Sequence, residues 1–106
     1  MSVIMTLRVK GDPRKLESIA ADDPERLPAI ADKAKSHGVI AHRFYASDNG
    51  ELMVVDEWPD ADSFQAFFDE CRSEIQAVMS DIGATTDPEV RFWRKLETND
   101  EVGWSD

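Results

Sequence analysis

The sequence predicts an α+β protein built around a four-stranded antiparallel sheet. Strand and helix signals follow in the order strand, helix, strand, strand, helix, strand. A tight Asp48-Asn49-Gly50 turn joins the second and third strands, and the apolar residues are spread over the first 96 positions. This order is that of the ferredoxin-like βαββαβ fold. Right-handed crossovers then place both helical segments on one face of the sheet.

The first strand and the helices after it are predicted from periodicity and from proline signals. Val3 to Val9 reads VIMTLRV, with apolar residues at every second position, as in a strand. Asp12-Pro13 supplies a helix N-cap and a proline at the first helical position. Asp23-Pro24 repeats the signal, and apolar residues at helical spacing continue to Gly38. Pro28 removes a backbone donor, so we expect the regular part of this helix to begin a turn after Pro24.

The second and third strands are predicted as a hairpin. Val39 to Ala46 and Leu52 to Trp58 are rich in branched and aromatic residues, and glycine in the turn supplies the positive φ that a tight hairpin needs. Two registers are open. A two-residue Asn-Gly turn pairs His42 with Glu57, whereas a three-residue loop with a left-handed glycine pairs His42 with Asp56. In both registers His42 faces a carboxylate.

A helical segment and a last strand complete the fold. Asp60 is placed to cap a helix whose apolar spacing continues to Gly83. Ser73, followed three residues later by glutamine, has the form of a capping box, which indicates a possible break into two helices near Arg72. Val90 to Leu96 is the predicted last strand.

Both faces of the predicted sheet are apolar, and this pattern predicts a homodimer. A sheet with one solvated face should alternate apolar and polar residues, yet Leu52 to Val55 are all apolar. Phe92 and Trp93 are adjacent in the last strand and must point to opposite faces. Since the helices cover one face, we expect a second copy of the sheet to cover the other, forming a dimeric α+β barrel.

Composition limits the partners and the location. Twenty-two acidic residues against twelve basic ones give a net charge of -10, which disfavours nucleic acid and anionic membrane surfaces. Cys71 is the only cysteine and occupies an apolar helical position, so we expect a buried thiol. No secretory signal and no membrane-spanning run are recognised, which predicts a cytoplasmic protein. Residues 1–96 are expected to form the domain, and 97–106 a polar tail that Trp104 could dock on a neighbouring surface.

The stretch from Phe44 to Phe68, FYASDNGELMVVDEWPDADSFQAFF, resembles the antibiotic-biosynthesis-monooxygenase-like (ABM) domains of the dimeric α+β barrel superfamily. There, too, a hairpin strand ends in an acid and a tryptophan and leads through an acidic turn into an aromatic helix. The resemblance implies a homodimer with a pocket between each sheet and its helices. Members include cofactor-independent oxygenases of aromatic polyketides and quinols, and haem-degrading enzymes. The haem-degrading members have an asparagine on the first strand and a histidine on the second helix. Both are missing here, so no cofactor is expected.

The candidate catalytic residues are His42 and Arg43. A histidine oriented by a carboxylate can act as a base, and an arginine can bind a phenolate oxygen. Both residues can equally be polar pairs on a sheet. Aromatic and thioether side chains could line a site for a flat, apolar substrate, or could be core residues; these candidate binding residues are Tyr45, Met53, Trp58, Phe67 and Trp93. No metal-binding motif is present.

Three functional hypotheses follow. The first is a cofactor-independent monooxygenase that acts on a small aromatic or quinol-like molecule, with His42 or a nearby arginine polarising the phenol. The second is a non-catalytic dimer that binds a small apolar ligand, or whose interface is its function. The third is a polyketide-shaping or isomerising enzyme with the same fold.

Overall fold

The computed structural model describes residues 1–103 and has the predicted α+β architecture. Four antiparallel strands form the sheet: β1 (Val3–Lys10), β2 (Ala41–Ala46), β3 (Glu51–Trp58) and β4 (Glu89–Arg94). They lie in the order β2-β3-β1-β4, which confirms the ferredoxin-like topology. Trp104 lies outside the described residues. In the described part, no helix is both long and apolar enough to span a bilayer. The helices are α1 (Pro13–Asp22), α2 (Arg26–Ser36), α3 (Ala61–Glu70) and α4 (Arg72–Asp81).

Aspartate caps begin two of the helices, as the sequence predicts. The Asp12 carboxylate accepts a hydrogen bond from the Arg14 backbone N–H at 2.9 Å. The Asp60 carboxylate accepts one from the Ser63 backbone at 2.8 Å, and hydrogen bonds from the Ser63 side chain and backbone lower the pKa of Asp60. Helix α2 begins at Arg26, later than Pro24 but by about half a turn rather than the expected full turn. The start signal read from Asp23 is wrong, because Glu25 occupies the N-cap position, without a side-chain hydrogen bond, and Asp23 ends α1.

The segment after Asp60 is two helices that meet at Cys71. The predicted break near Arg72 is therefore confirmed, but the proposed cap is wrong. Cys71 occupies the N-cap position of α4 without a side-chain hydrogen bond, while the Ser73 hydroxyl donates to Glu74 at 3.3 Å. The Cys71 side chain is fully buried, as predicted, and burial raises the pKa of its thiol. A protonated, buried thiol is a poor nucleophile.

The hairpin between β2 and β3 has the longer of the two turns considered. The Ser47 N–H donates to the Glu51 carbonyl at 2.9 Å, and Gly50 has a φ of 80°. A left-handed glycine at the end of a three-residue loop accounts for both features. The resulting register pairs His42 with Asp56. The two-residue Asn-Gly alternative, which pairs His42 with Glu57, is wrong.

Alternation along the strands gives the sheet two different faces. One face packs against the helices and forms the core with them, the buried strand residues being Met5, Leu7, Val9, Leu52, Val54, Asp56 and Trp58. The other face, which we call the open face, has no helix against it. Its apolar and neutral members are Ile4, Thr6, Ala41, Tyr45, Met53, Val55 and Trp93.

The last strand is shorter than predicted but splits its aromatic residues as expected. Strand β4 ends at Arg94 rather than Leu96, whose side chain is exposed. Phe92 turns towards the helices, with its ring 5.7 Å from that of Phe64. Trp93 lies on the open face and is 49% exposed, and its indole N–H donates to the Thr6 hydroxyl at 2.9 Å. An exposed tryptophan on an uncovered sheet face is typical of a surface that binds a partner.

Candidate active site

A buried carboxylate is the centre of the candidate site. Asp56 faces the helices because it alternates with Val54 and Trp58 along β3, and it is 4% exposed. One of its oxygens, Oδ1, lies 2.7 Å from Nδ1 of His42. The other, Oδ2, accepts a hydrogen bond from the Trp58 indole N–H at 3.1 Å. Both carboxylate oxygens are therefore satisfied, as burial of a charge requires.

When Asp56 is ionised, its contact with His42 sets the position of the imidazole proton. An ionised carboxylate can only accept hydrogen bonds, so the proton of this contact is on Nδ1 of the imidazole. In the neutral ring, Nε2 then carries the lone pair and can accept a proton. The His42 side chain is 34% exposed, so a ligand can reach this residue from solvent. Phe44 lies beside it, with ring centroids 5.1 Å apart in an edge-to-face arrangement.

His42 and Asp56 line one end of an apolar cavity between the sheet and the helices. The cavity volume is about 90 Å³. Among the described residues that line it, these two carry the only ionisable side chains. The remaining lining residues are aliphatic, aromatic or methionine side chains from the strands and helices, and they include Leu7, Ile30, Phe44, Phe67, Val78 and Met79.

The structure groups the candidate residues differently from the sequence-based expectation. Phe67 lines the same cavity as His42. Trp58 does not line it, because its ring is fully buried behind Asp56, 5.5 Å from the Phe67 ring. The others lie on the open face, opposite to His42: Arg43, Tyr45, Met53 and Trp93. No single pocket in the described part of the chain therefore combines His42 with those four side chains.

Two features of the site were missed although strand alternation contains the signal for them. Residues two apart on a strand share a face. Asp56 and Trp58 are such a pair, which allows the indole to donate to the carboxylate. His42 and Phe44 are another, which places an aromatic ring next to the imidazole. The cavity, in contrast, depends on how the helices pack on the sheet, and no local pattern indicates it.

No group of three or more histidine, cysteine, aspartate or glutamate side chains within residues 1–103 is arranged to hold a metal ion. His37, the other histidine of the chain, is at the C-terminus of α2, and its Nε2 lies 3.5 Å from the Glu70 carboxylate. Its ring also approaches that of Phe67 edge-on, at 6.3 Å. These contacts account for His37 as a structural residue.

Comparison with known proteins shows that several solved structures share this architecture. No protein-family model and no curated protein matches the sequence. SnoaB, a cofactor-independent oxygenase from Streptomyces nogalater, is 17% identical, with a TM-score of 0.65 over 94% of this chain and 98% of that chain. A crystal structure of an antibiotic biosynthesis monooxygenase is 10% identical, with a TM-score of 0.65 over 90% and 99% of the two chains.

The chain has the ABM fold. The resemblance inferred from Phe44 to Phe68 is thus confirmed at the level of architecture. Rv0793 from Mycobacterium tuberculosis shares the fold as well, at 16% identity and a TM-score of 0.61 over 93% of this chain and 99% of that chain. At such identities the ABM fold is what these proteins have in common, since one fold supports many activities.

Proposed function

We propose that this protein is a cofactor-independent monooxygenase that oxidises a small phenol or quinol. The observation that carries the proposal is the contact of 2.7 Å between His42 and the buried Asp56, beside an apolar cavity. A carboxylate that orients an imidazole and stabilises its protonated form is a recurrent arrangement in general-base catalysis. The ABM fold, shared with the cofactor-independent oxygenase SnoaB, supports this choice of reaction.

The reaction needs a base and an electron-rich substrate. Nε2 of His42 takes the phenolic proton, and Asp56 stabilises the imidazolium. The phenolate passes one electron to dioxygen, and the resulting radical pair combines to form a C–O bond at the para carbon. The peroxide oxygen takes the proton from His42. Removal of the para C–H proton by Nε2 then breaks the O–O bond, and the departing hydroxide takes that proton back as water.

The overall reaction balances without another reductant. One phenol and one dioxygen give one para-quinone and one water. The phenol supplies four electrons, one oxygen atom enters the ring and the other leaves as water. His42 begins and ends as the neutral imidazole. Each step of proton transfer thus uses the same nitrogen, which is the one that Asp56 leaves available.

Oxygen consumption tests the proposal directly. The purified protein, with no cofactor added, is mixed with a panel of phenols and quinols in an oxygen-electrode cell. We expect at least one member to be consumed with an equal amount of dioxygen and to give the quinone, detected by its absorbance. No uptake above the protein-free rate with any member would contradict the proposal and would favour the ligand-binding alternative.

We also propose that the protein is a homodimer joined through the open face. This face presents the half-exposed Tyr45 and Trp93, at 47% and 49%, beside Met53 and Val55. It carries charges of both signs, and the cross-strand pair that contains Arg43 is next to the pair that contains Glu57 on this face. In a two-fold dimer the two copies of the face meet in antiparallel orientation, which can place the positive residues of one protomer against the negative residues of its partner around an apolar centre.

The mass in solution tests the dimer. We expect sedimentation equilibrium to give twice the chain mass of 11.9 kDa. Val55→Arg, which places a charge at the centre of the open face, should shift the mass towards that of one chain. Gln76→Arg, an exposed substitution on α4, is the matched control and should leave the mass unchanged. A wild-type mass of one chain would rule out the dimer, whatever the result of the oxygen experiment.

A further inference from the structure

The size of the cavity restricts what it can hold. Its volume is about 90 Å³. Protein pockets for drug-sized ligands measure roughly 300–1,000 Å³, and an engineered cavity that binds benzene measures about 150 Å³. A substituted aromatic ring therefore does not fit inside this cavity without displacing core side chains. A diatomic molecule does fit.

The polarity of the cavity disfavours water. A buried water molecule typically makes two to four hydrogen bonds. Here each Asp56 oxygen already has a partner, His42 or Trp58, and Nδ1 of His42 is in contact with Asp56. Nε2 of His42 is the one further polar side-chain atom of the described lining residues, which gives a water molecule a single partner. The other lining side chains, such as Leu7 and Met79, are hydrocarbon or thioether. Such a surface stabilises a small apolar guest through dispersion contacts rather than hydrogen bonds.

We propose that this cavity binds dioxygen, and that the aromatic substrate docks outside it, at the end formed by His42 and Phe44. The inference rests on the proposed function, because that function makes dioxygen the second substrate. Phe44 is 39% exposed and stands edge-on to the imidazole, so its ring offers a contact for a flat molecule at the exposed end of the cavity. The two substrates would then meet at His42, one from the core and one from solvent.

Dioxygen itself is the probe for the test. It is paramagnetic, so it broadens the resonances of methyl groups near which it resides. With methyl-labelled protein under oxygen pressure, compared with nitrogen, we expect the strongest broadening at cavity methyls, those of Leu7, Ile30 and Met79. Ile19 and Val39 pack on the core outside the cavity and are the internal controls. Equal broadening of both groups would overturn the proposal.

Two alanine-to-leucine substitutions on α2 provide a second test. Ala31 lines the cavity, whereas Ala29 is exposed on the same helix and lines a separate groove. Ala31→Leu should fill the cavity and abolish the selective broadening, and Ala29→Leu should preserve it. In turnover, Ala31→Leu should raise the KM for dioxygen and leave the KM for the phenol unchanged. If Ala31→Leu fails to fold, the wild-type broadening pattern still decides.

The outcomes separate this proposal from the proposed function. Phenol titration should shift resonances at Phe44 and His42 and leave the methyls of Leu7 and Met79 in place. Phenol-induced shifts at those deep methyls would overturn the proposal, because the aromatic ring would then occupy the cavity. Absence of selective oxygen broadening in a protein that oxidises phenols would also overturn it. Selective broadening without turnover would support the dioxygen site and count against the oxygenase activity alone.

Discussion

The His42→Asn variant is expected to oxidise a phenol substrate about 10²- to 10⁴-fold more slowly than the wild-type protein, the usual contribution of a positioned base. The amide nitrogen of asparagine lies close to where Nδ1 lies in histidine and can donate the same hydrogen bond to Asp56. The variant has no counterpart of Nε2. It therefore removes the proton acceptor and retains the partner of the buried carboxylate.

Alanine would be a poorer choice at this position. The Asp56 carboxylate is 4% exposed, and without His42 it would keep one hydrogen bond, from Trp58. Leaving a buried acceptor without one of its partners costs about 1–3 kcal/mol, and more when the acceptor is charged. The side chain of His42 is 34% exposed, so water would offset part of this cost. Loss of activity in an alanine variant could thus result from lower stability instead of a missing base.

The chain provides a matched control in its second histidine. His37→Asn makes the same substitution at the C-terminal end of α2, where the ring contacts Glu70 and Phe67. Rates for wild type, His42→Asn and His37→Asn are measured at one oxygen concentration, and urea unfolding is followed for all three. We expect a large loss of activity in His42→Asn alone, with similar unfolding midpoints. A His42→Asn rate within a few-fold of wild type would show that His42 is not the base.

The contact between histidine and aspartate could be predicted because it is local. Hairpin strands pair by the geometry of their turn, and both considered turns place an acid opposite His42. The choice between Asp56 and Glu57 depended on the φ of a single glycine, Gly50. One residue of slip moves every side chain of a strand to the other face. The turn therefore decides whether the partner of His42 is buried or on the open face.

Only part of the remaining site could be predicted in the same way. Tyr45 is three residues from His42 on the same strand and Met53 is its cross-strand partner, so alternation alone places both on the face opposite to His42. The position of Trp93 depends on the pairing of β4 with β1, two strands far apart in sequence. The cavity volume depends on helix packing against the sheet. Non-local contacts of this kind leave no periodic signal in the sequence.

The break between α3 and α4 shows the limit of capping signals. A serine followed three residues later by glutamine indicates a capping box, yet the helix boundary falls at Cys71. Its side chain is completely buried beneath the junction. Burial of an apolar residue contributes more than a single exposed hydrogen bond. We infer that the position of Cys71 in the core sets the boundary, and that Ser73 is left to bond with its neighbour Glu74.

Trp58→Ala is expected to lower the free energy of unfolding by about 3–5 kcal/mol, the range for removing a buried large aromatic side chain. The Trp58 side chain has no exposed surface, and its ring lies 5.8 Å from that of Phe64 and 5.5 Å from that of Phe67. Small domains have a total stability of about 5–15 kcal/mol. The loss would thus be a large share of the total and should be visible as a lower urea midpoint by circular dichroism.

Trp58→Phe separates packing from hydrogen bonding at the same position. Phenylalanine retains an aromatic ring against Phe64 and Phe67 but cannot donate to Oδ2 of Asp56. Leaving that buried oxygen without its donor costs about 1–3 kcal/mol, so this variant should be less destabilised than Trp58→Ala. Equal unfolding free energies for the two variants would show that the indole N–H, and not the ring, carries the contribution. A Trp58→Phe variant that is less stable than wild type but more stable than Trp58→Ala would establish Trp58 as a core residue that also supports the carboxylate holding His42.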